Sequence, residues 1–510
     1  MQLGFPLLTV LALLPLVGAL VLLVVQGTTA KWLGLIVSLA TLVLAVVAAL
    51  RFRPGDGMQL VEQVPWIPQF GAHYALGLDG LGLTLVLLTA ILVPVVLIAS
   101  WNVGEVGDSR WTTRSFFGLV LALEALSLYV FLATDVLLFY LFFELTLIPM
   151  YFLIGGFGRG RRRSYAAIKF LLFSLLGGLV MLASVIGLYV VSSQSEGGAT
   201  YLLSELMNLQ IPEQTQRWLF LGFMFAFAIK APMVPFHTWL PDAAEESTPG
   251  AATLMVGVLD KIGTFGMIRF CLGLFPEAST WATPVVLVLA VISVLYGALA
   301  AIGQKNLMRL IAFTSISHFG FIVLGIFAFT TQGVTGSTLY MLNHGFSTAA
   351  LFLVVGFLIS RRGSALITDF GGVRKVAPVL AGLTLVAGLS SLSLPGLSSF
   401  VSEFMVLAGT FSRYPIHAVV ATMGIVLAAL YILIMYQRTM TGPVTDVVRE
   451  KVTDLNGRER VALAPLLLLI LVLGFFPRPA LAIIEPTVTA TLQHVGVTDP
   501  DPIVGEAETN

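Results

Sequence analysis

The chain has 510 residues, of which 57% are hydrophobic and only 11% charged. A soluble domain carries roughly 25% charged residues, so a soluble globular protein is excluded. The 27 basic and 27 acidic residues cancel, leaving no net field that would draw the chain to nucleic acid. The single cysteine, Cys271, can make neither an internal disulfide nor a cysteine-ligated iron–sulfur cluster.

Apolar runs of about 20 residues, the length that crosses the hydrocarbon core, fall near 4–25, 31–50, 80–101, 115–133, 136–157, 165–192, 216–235, 250–275, 283–302, 309–328, 334–360, 376–408, 416–437 and 461–483. They predict an all-α integral membrane protein of about fourteen transmembrane helices. No basic residue precedes the first run, which therefore reads as a retained span rather than a signal peptide. No linker of domain size divides the runs, so 1–510 reads as one membrane domain. Within it, 1–112 holds three N-terminal helices, 113–275 and 283–438 hold five each, 461–483 is the last span and 484–510 is a polar tail. The tail is expected to lie extended on the outer surface, with no long amphipathic helix. Residues 51–79, rich in Pro and Gly, are expected to form an ordered external loop with a short hairpin.

The loops orient the chain. If Arg159-Gly-Arg-Arg-Arg163 is cytoplasmic, alternation places Lys31, Arg110, Arg114, Lys305, Arg309, Arg361, Arg362, Arg374, Lys375, Arg438, Arg449, Lys451, Arg458 and Arg460 on the same side. Only Arg51, Arg53, Arg217, Arg413 and Arg478 fall opposite. This is the positive-inside bias, and it puts both termini outside.

The stretch from Phe225 to His237 begins as an apolar helix and is broken at Pro232 and Pro235, just after Lys230. Proline frees backbone carbonyls that must find partners within the protein or in a wet cavity. A lysine at the helix centre costs about 2.5 to 3.5 kcal/mol on the insertion scale. Broken helices carrying polar groups mark transport sites near the bilayer midplane; the structural alternative is a kink with a snorkelling lysine.

Further ionisable groups lie within spans: Glu144, Lys261, His318, His344 and Glu403, the last beyond a second break at Pro395-Gly396. With Lys230 they make two acids, two lysines and two histidines, a set that suits a proton relay. Histidine titrates near neutrality, while burial favours the neutral form of any such group and an opposite charge favours the ionised one. The histidines could instead tie helices together or ligate haem. Glu124 and Lys169 could simply hydrogen-bond a neighbouring helix. Asp260 points about 100° away from Lys261 around the helix. His237, Asp242, Glu245 and Glu246 form a polar exit from the broken helix, and Ser247-Thr248 before Pro249 suit a helix start. The two breaks lie five spans apart, as do Glu144 and His318, which suggests two inverted five-helix repeats, each containing a broken helix.

Several stretches carry a resemblance: Gly77-Leu-Asp-Gly80, Phe142 to Tyr151, Lys230-Ala-Pro-Met-Val-Pro-Phe-His-Thr-Trp-Leu-Pro-Asp-Ala243 with its continuation to Pro249, Gln304 to Gly320, and Leu342-Asn-His344. Together they resemble the antiporter-like membrane subunits of bacterial proton-translocating NADH–quinone oxidoreductase, respiratory complex I. Multisubunit cation/proton antiporters and membrane-bound hydrogenases share the Lys230 string. Glu403 fits the M branch, because the L and N branches resemble each other in placing a lysine in the twelfth helix. The lack of L's long lateral helix points the same way. Asp260 departs from the family pattern, which mostly has an apolar residue there.

The resemblance implies a proton-moving subunit of a bacterial cell membrane, flanked by L and N subunits. It implies a charge pair of Glu144 and Lys230 that senses a neighbouring subunit, Lys261 as central proton holder, His318 and His344 continuing the polar axis, and Glu403 releasing protons outward. NADH, FMN, iron–sulfur clusters and quinone are expected in partner subunits and no cofactor or metal in this chain. The competing expectations are an antiporter subunit without redox coupling, and a structural bridging subunit with an inactive relay.

Overall fold

A computed structural model describes residues 5–104 and 111–501; Arg110 and the end of the expected tail lie outside the described residues. In chain order the principal elements are α1 (Leu7–Val21), α2 (Gly27–Arg51), β1 (Gln59–Ile67), β2 (Ala72–Leu78), α3 (Gly80–Ala99), α4 (Thr113–Leu132), α5 (Val136–Gly155), α6 (Arg163–Ser193), α7 (Glu213–Lys230) and α8 (Trp239–Glu246). There follow α9 (Pro249–Leu272), α10 (Pro276–Ile302), α11 (Leu307–Ile326), α12 (Thr331–Arg362), α13 (Pro378–Ser391), α14 (Ser398–Arg413), α15 (Pro415–Met440), α16 (Gly457–Phe475) and α17 (Arg478–Val495).

Among the described residues, ten of these helices are long and apolar enough to cross a membrane, or eleven if α16 and α17, bent by 72°, count as one span. The protein is a mostly helical, multi-pass membrane protein. The other expected spans are short or interrupted: α1 has 15 residues, α7 has 18 and stops at Lys230, and α13, with 14, breaks before α14, with 16. The expected hairpin forms as an antiparallel β1–β2 pair, from Gln59 opposite Leu78 to Ile67 opposite Ala72. Its Glu62 accepts from the Leu8 and Thr9 amides at 2.7 and 2.9 Å, two of the donors that the first turn of α1 leaves unsatisfied.

Helix α12 is the hub, packing on α3, α9, α11, α13, α14, α16 and α17. The apolar stretch of α9 is wholly buried, whereas those of α2, α6 and α15 are only 39% buried. In a membrane protein the half-open helices are the ones left for lipid or partners, and α9 and α12 form the interior.

Both breaks are satisfied from within. After α7 ends at Lys230, Trp239 Nε1 donates to the Ile229 carbonyl at 3.0 Å, and the Val234 amide finds Ser293 Oγ at 3.0 Å. Thr248 Oγ1 accepts from the Ala251 amide at 3.3 Å ahead of Pro249, the helix start expected there. At the second break Ser393 has φ +61° and Gly396 φ +93°. A non-glycine residue in that region is held there by its surroundings.

The chain ends past Pro486 differently from expectation. Residues 478–495 are not an extended tail but helix α17, with Ile484, Val488 and Leu492 buried against α3 and α12. These lie at i, i+4 and i+8, one face of a helix, and Pro486 sits within it. The helix rests on Gly80, whose amide donates to Thr487 Oγ1 at 3.0 Å and where a Cβ would stand 2.0 Å from the Ile483 carbonyl. That close approach accounts for Gly80 in the Gly77–Gly80 stretch. Asp79 beside it caps α3 through the Gly82 amide at 2.8 Å and pairs with Arg269 at 2.6 Å.

The loops gather on two faces. Arg159 bonds the Glu246 carbonyl, Asn306 bonds Glu245, and Arg458 bonds Asn102, so the basic loops share one face. The hairpin, Thr134, Tyr201, Thr331 and Asp499 share the other, and both described chain ends lie there. On the basic face Arg361 grips Glu459 with both guanidinium nitrogens, at 3.0 and 2.6 Å, and also donates to the Thr453 and Asp454 carbonyls. Replacing Arg361 with Ala strands a buried carboxylate. The expected loss is about 3 to 5 kcal/mol, and Arg361→Lys should lose less, keeping the charge without the fork. Thermal unfolding in detergent should rank the proteins wild type, Lys variant, Ala variant; equal midpoints for all three would show that the pair does not hold α12 to α16.

Candidate functional site

The site is best built from α9 outward. This helix contains two π-helical stretches, Met255–Leu259 and Met267–Leu272, on either side of Asp260–Gly266. A π-helical turn widens the ladder by one residue and is frequent at functional positions. Here the Val256 carbonyl, five residues back, accepts from Lys261 Nζ at 2.7 Å. The same nitrogen lies 2.7 Å from His344 Nδ1 on α12 and 5.1 Å from the centre of the Phe319 ring. Lys261 is fully buried.

From His344 the row continues along α12. The His344 and His318 rings lie 5.3 Å apart between centroids, with no hydrogen bond between them, and His344 Nε2 has no partner. His318 Nδ1 is 2.6 Å from the Tyr340 hydroxyl, which is 2.5 Å from Glu403 Oε2. Ser393 Oγ donates to that same carboxylate oxygen at 2.6 Å, so the strained turn of the second break serves Glu403. The tautomers follow from the bonds. Tyr340 gives its only proton to Glu403, so His318 Nδ1–H donates to Tyr340. His318 Nε2 then accepts from Ser391 Oγ at 3.4 Å. If Lys261 donates to His344 Nδ1, the His344 proton sits on the unpartnered Nε2.

The other end of the row is built differently. Glu144 lies in the last turn of α5 before an interruption at Thr146, where Pro149 cannot donate to the Leu145 carbonyl. A Cβ at Gly178 of α6 would stand 1.5 Å from Glu144 Oε1, so only glycine leaves room for this carboxylate. Lys230 is buried at the end of α7, its Nζ 4.9 Å from the centre of the Phe143 ring and 5.9 Å from that of Phe170. Lys230 thus lies beside the residue that precedes Glu144, but Lys230 and Glu144 form no direct ion pair, and neither Lys230 Nζ nor Glu144 Oε1 has a hydrogen-bond partner. The expected pair is therefore one of proximity, not contact.

Of the other polar groups singled out from sequence, Lys169 bonds Asp242 at 2.7 Å. Arg309 bridges Asp242 to Glu245, at 3.0 Å from the latter. Glu246 accepts from the Arg162 amide at 2.9 Å. These form a charged cluster at the basic mouth of α8. His237 is buried edge-on to Tyr296, with ring centroids 4.9 Å apart. Glu124 is buried with neither oxygen hydrogen-bonded, so the alternative of a hydrogen bond to a neighbouring helix is not met at this residue.

Sequence reasoning missed Tyr340, Ser393 and the Val256 carbonyl. Tyr340 was readable in principle: it stands four residues before His344, on the same face of one helix. Ser393 and Val256 were not, because they act through a turn conformation and a π-helical register.

Two interrupted helices and buried lysines, histidines and a carboxylate strung between them define an antiporter-like membrane fold. The family model for NADH:quinone oxidoreductase/Mrp antiporter transmembrane proteins matches residues 133–428. NADH-quinone oxidoreductase subunit M of Mycobacterium tuberculosis is 52% identical, over 98% of this chain and 96% of that protein. A chain of respiratory complex I from Thermus thermophilus with bound NADH superposes with a TM-score of 0.87 at 34% identity, covering 96% of this chain and 100% of that one. A chain of the Mrp complex from a Dietzia species gives 0.83 at 22% identity over 96% of this chain, a likeness of fold. The chain belongs to the subunit M family of NADH–quinone oxidoreductase, within the antiporter-like superfamily.

Tyr340→Phe removes the hydroxyl between His318 and Glu403 while keeping the ring. It leaves His318 Nδ1 without a partner and Glu403 Oε2 with Ser393 alone, for an expected loss of about 1 to 3 kcal/mol. Ser393→Ala leaves Glu403 its Tyr340 bond and should cost less. Thermal midpoints in detergent check the order; a Phe variant as stable as wild type would mean the hydroxyl is not buried in this network.

Proposed function

We propose that this chain is a proton-translocating subunit of a respiratory NADH–quinone oxidoreductase, driven by quinone reduction in other subunits. On this reading the Glu144–Lys230 site responds to a neighbouring subunit, and Lys261 is the central proton holder. His344, His318 and Tyr340 carry the proton on, and Glu403 is the last protein-bound site. NADH, FMN, the iron–sulfur clusters and quinone belong to partner subunits, with L and N subunits flanking this one. The short and interrupted helices count as spans, giving fourteen, and α7–α8 and α13–α14 are the paired breaks of two inverted five-helix repeats. The basic face is cytoplasmic, and both termini are outside.

The observation that carries the reading is the row itself: Lys261, His344, His318, Tyr340 and Glu403, hydrogen-bonded at every step but one. A proton given by Lys261 to His344 Nδ1 frees the one on Nε2. Taken up at His318 Nε2, it releases the Nδ1 proton to Tyr340, whose own proton passes to Glu403. Lys261 loses a proton, Glu403 gains one, and His344, His318 and Tyr340 each gain one and lose one, ring or hydroxyl rotation then resetting them. The break in the row, His344 to His318, is where a moving ring or an entering water would gate transfer. Exchange of a metal cation is less well served. Hard cations take oxygen ligands, and the centre of this row is an amine and two imidazoles.

Arginine stays charged at any accessible pH, so Lys261→Arg keeps the charge and cannot cycle a proton. In the assembled complex reconstituted in vesicles, its proton-to-electron ratio should fall while uncoupled quinone reduction persists. An unchanged ratio would make Lys261 a fixed charge and sink the relay. At the outlet, Glu403→Asp should keep partial pumping and Glu403→Ala should lose it. Equal pumping by the two would take the carboxylate off the path.

A further inference from the structure

Asp260 has no place in the row described above, yet it is the most completely buried carboxylate near it. Its residue is 0% exposed and neither oxygen makes a hydrogen bond. A buried charge without hydrogen bonds needs an opposite charge nearby. Two stand nearby: Lys261 is the next residue, and Lys230 ends α7, whose following residue, Ala231, packs on Gly263 one turn along.

The helix geometry explains how one side chain can serve both. Successive residues turn by about 100°. Lys261 and Thr264 face α12, through His344 Nδ1 and Met341 Sδ. Gly263 and Gly266 face α7. A Cβ at Gly263 would stand 2.6 Å from the Ala231 amide nitrogen, and one at Gly266 2.4 Å from the Phe227 ring. Ala231 is the residue that follows Lys230 at the break. On the helical wheel Asp260 lies on the arc between these two faces, with α7 and Lys230 to one side and Lys261 to the other.

We propose that Asp260 is a positioning residue that links Lys230 to Lys261, a single carboxylate shared between two buried ammonium groups. The inference rests on the relay reading given above. Glu144, Lys230, Asp260 and Lys261 then form a row of alternating sign whose formal charges cancel. The first three meet through space rather than through mutual hydrogen bonds, so their distances can change without breaking any. Drawing Lys230 toward Glu144 withdraws it from Asp260 and leaves the Asp260 charge to Lys261. Letting Lys230 return does the reverse. Asp260 thereby carries a change at Glu144 and Lys230 to the group that holds the proton. The other ionisable groups on the helices packed around it are Tyr340, His344, Arg361 and Arg362 on α12, Arg114, Glu124 and Tyr129 on α4, and Glu213 and Arg217 at the start of α7; α3 has none within its span.

The test uses the whole complex in vesicles, with Asp260→Asn, Asp260→Leu, Asp260→Glu and, as reference, Lys261→Arg. The Asn and Leu variants should assemble and reduce quinone with an uncoupler present, with a lowered proton-to-electron ratio. Losing the negative charge should move the alkaline limb of their pumping profile to lower pH by about one unit or more. Asp260→Glu should restore most of the ratio. A wild-type ratio and pH profile in the Asn variant would overturn the link, and so would failure of all three variants to assemble, which would make Asp260 a folding residue. The two readings fail separately. Wild-type pumping by Lys261→Arg removes the relay itself, whereas loss of pumping there beside normal pumping by Asp260→Asn removes only the Asp260 link.

Discussion

An ammonium group buried among apolar helices has to be held by whatever the fold can turn toward it, and the centre of this molecule is arranged around that requirement at Lys261. The desolvation cost of an isolated buried charge is far larger than any single contact can offset. Two acceptors are supplied at 2.7 Å, the Val256 carbonyl and His344 Nδ1. The first exists because α9 is π-helical just before Lys261. The second fixes the register of α9 against α12, and with it the position of every polar group that α12 carries. A regular α-helix at 255–259 would direct the Val256 carbonyl to the Asp260 amide and leave Lys261 with one acceptor.

The two broken helices follow from the same requirement. A continuous α7 would bury Lys230 beside a closed backbone ladder. Ending it there turns the backbone aside, and Trp239 satisfies the Ile229 carbonyl that the break exposes. At the second break the strained Ser393 turn delivers a hydroxyl to Glu403. Strain of this sort persists only where the surroundings fix it. Here they do so through the Glu403 carboxylate, itself anchored to Tyr340.

Much of this was legible in the sequence, for identifiable reasons. Apolar length and the sparse basic loops gave the helical membrane class and the grouping of loops on one face, because a bilayer punishes errors in both. The buried ionisable residues stood out because nothing in an apolar span calls for them. What did not show was pairing and register. The resemblance paired Glu144 with Lys230, but the two make no direct contact: Gly178 leaves room for the Glu144 carboxylate, and the Lys230 ammonium lies 4.9 Å from the centre of the Phe143 ring. Residues 484–495 read as a polar tail because their apolar residues are few, and the ones that become buried, Ile484, Val488 and Leu492, are spaced for one helix face. That face is recognisable only once α3 and α12 are there to cover it.

The row has two mechanical characters, and the difference bears on how it can work. From His318 to Glu403 the groups are hydrogen-bonded at 2.5 to 2.6 Å, which defines their resting tautomers and rotamers. Such a segment can pass protons but cannot easily change shape. From Glu144 through Lys230 to Asp260 the charges act across space without mutual hydrogen bonds. Coulomb energy falls only as the inverse of distance, whereas a hydrogen bond is lost within a few tenths of an ångström. The loose segment can therefore respond smoothly to small displacements of α5 or α7, and the tight segment can hold a defined protonation pattern. Lys261 stands at the junction, bonded to His344 on its α12 side and, on the proposal above, balanced by Asp260 on its other side, and the unbonded His344–His318 step lies immediately beyond it. A displacement on the loose side can thus alter the state of Lys261 without disturbing the bonded segment that leads away from it.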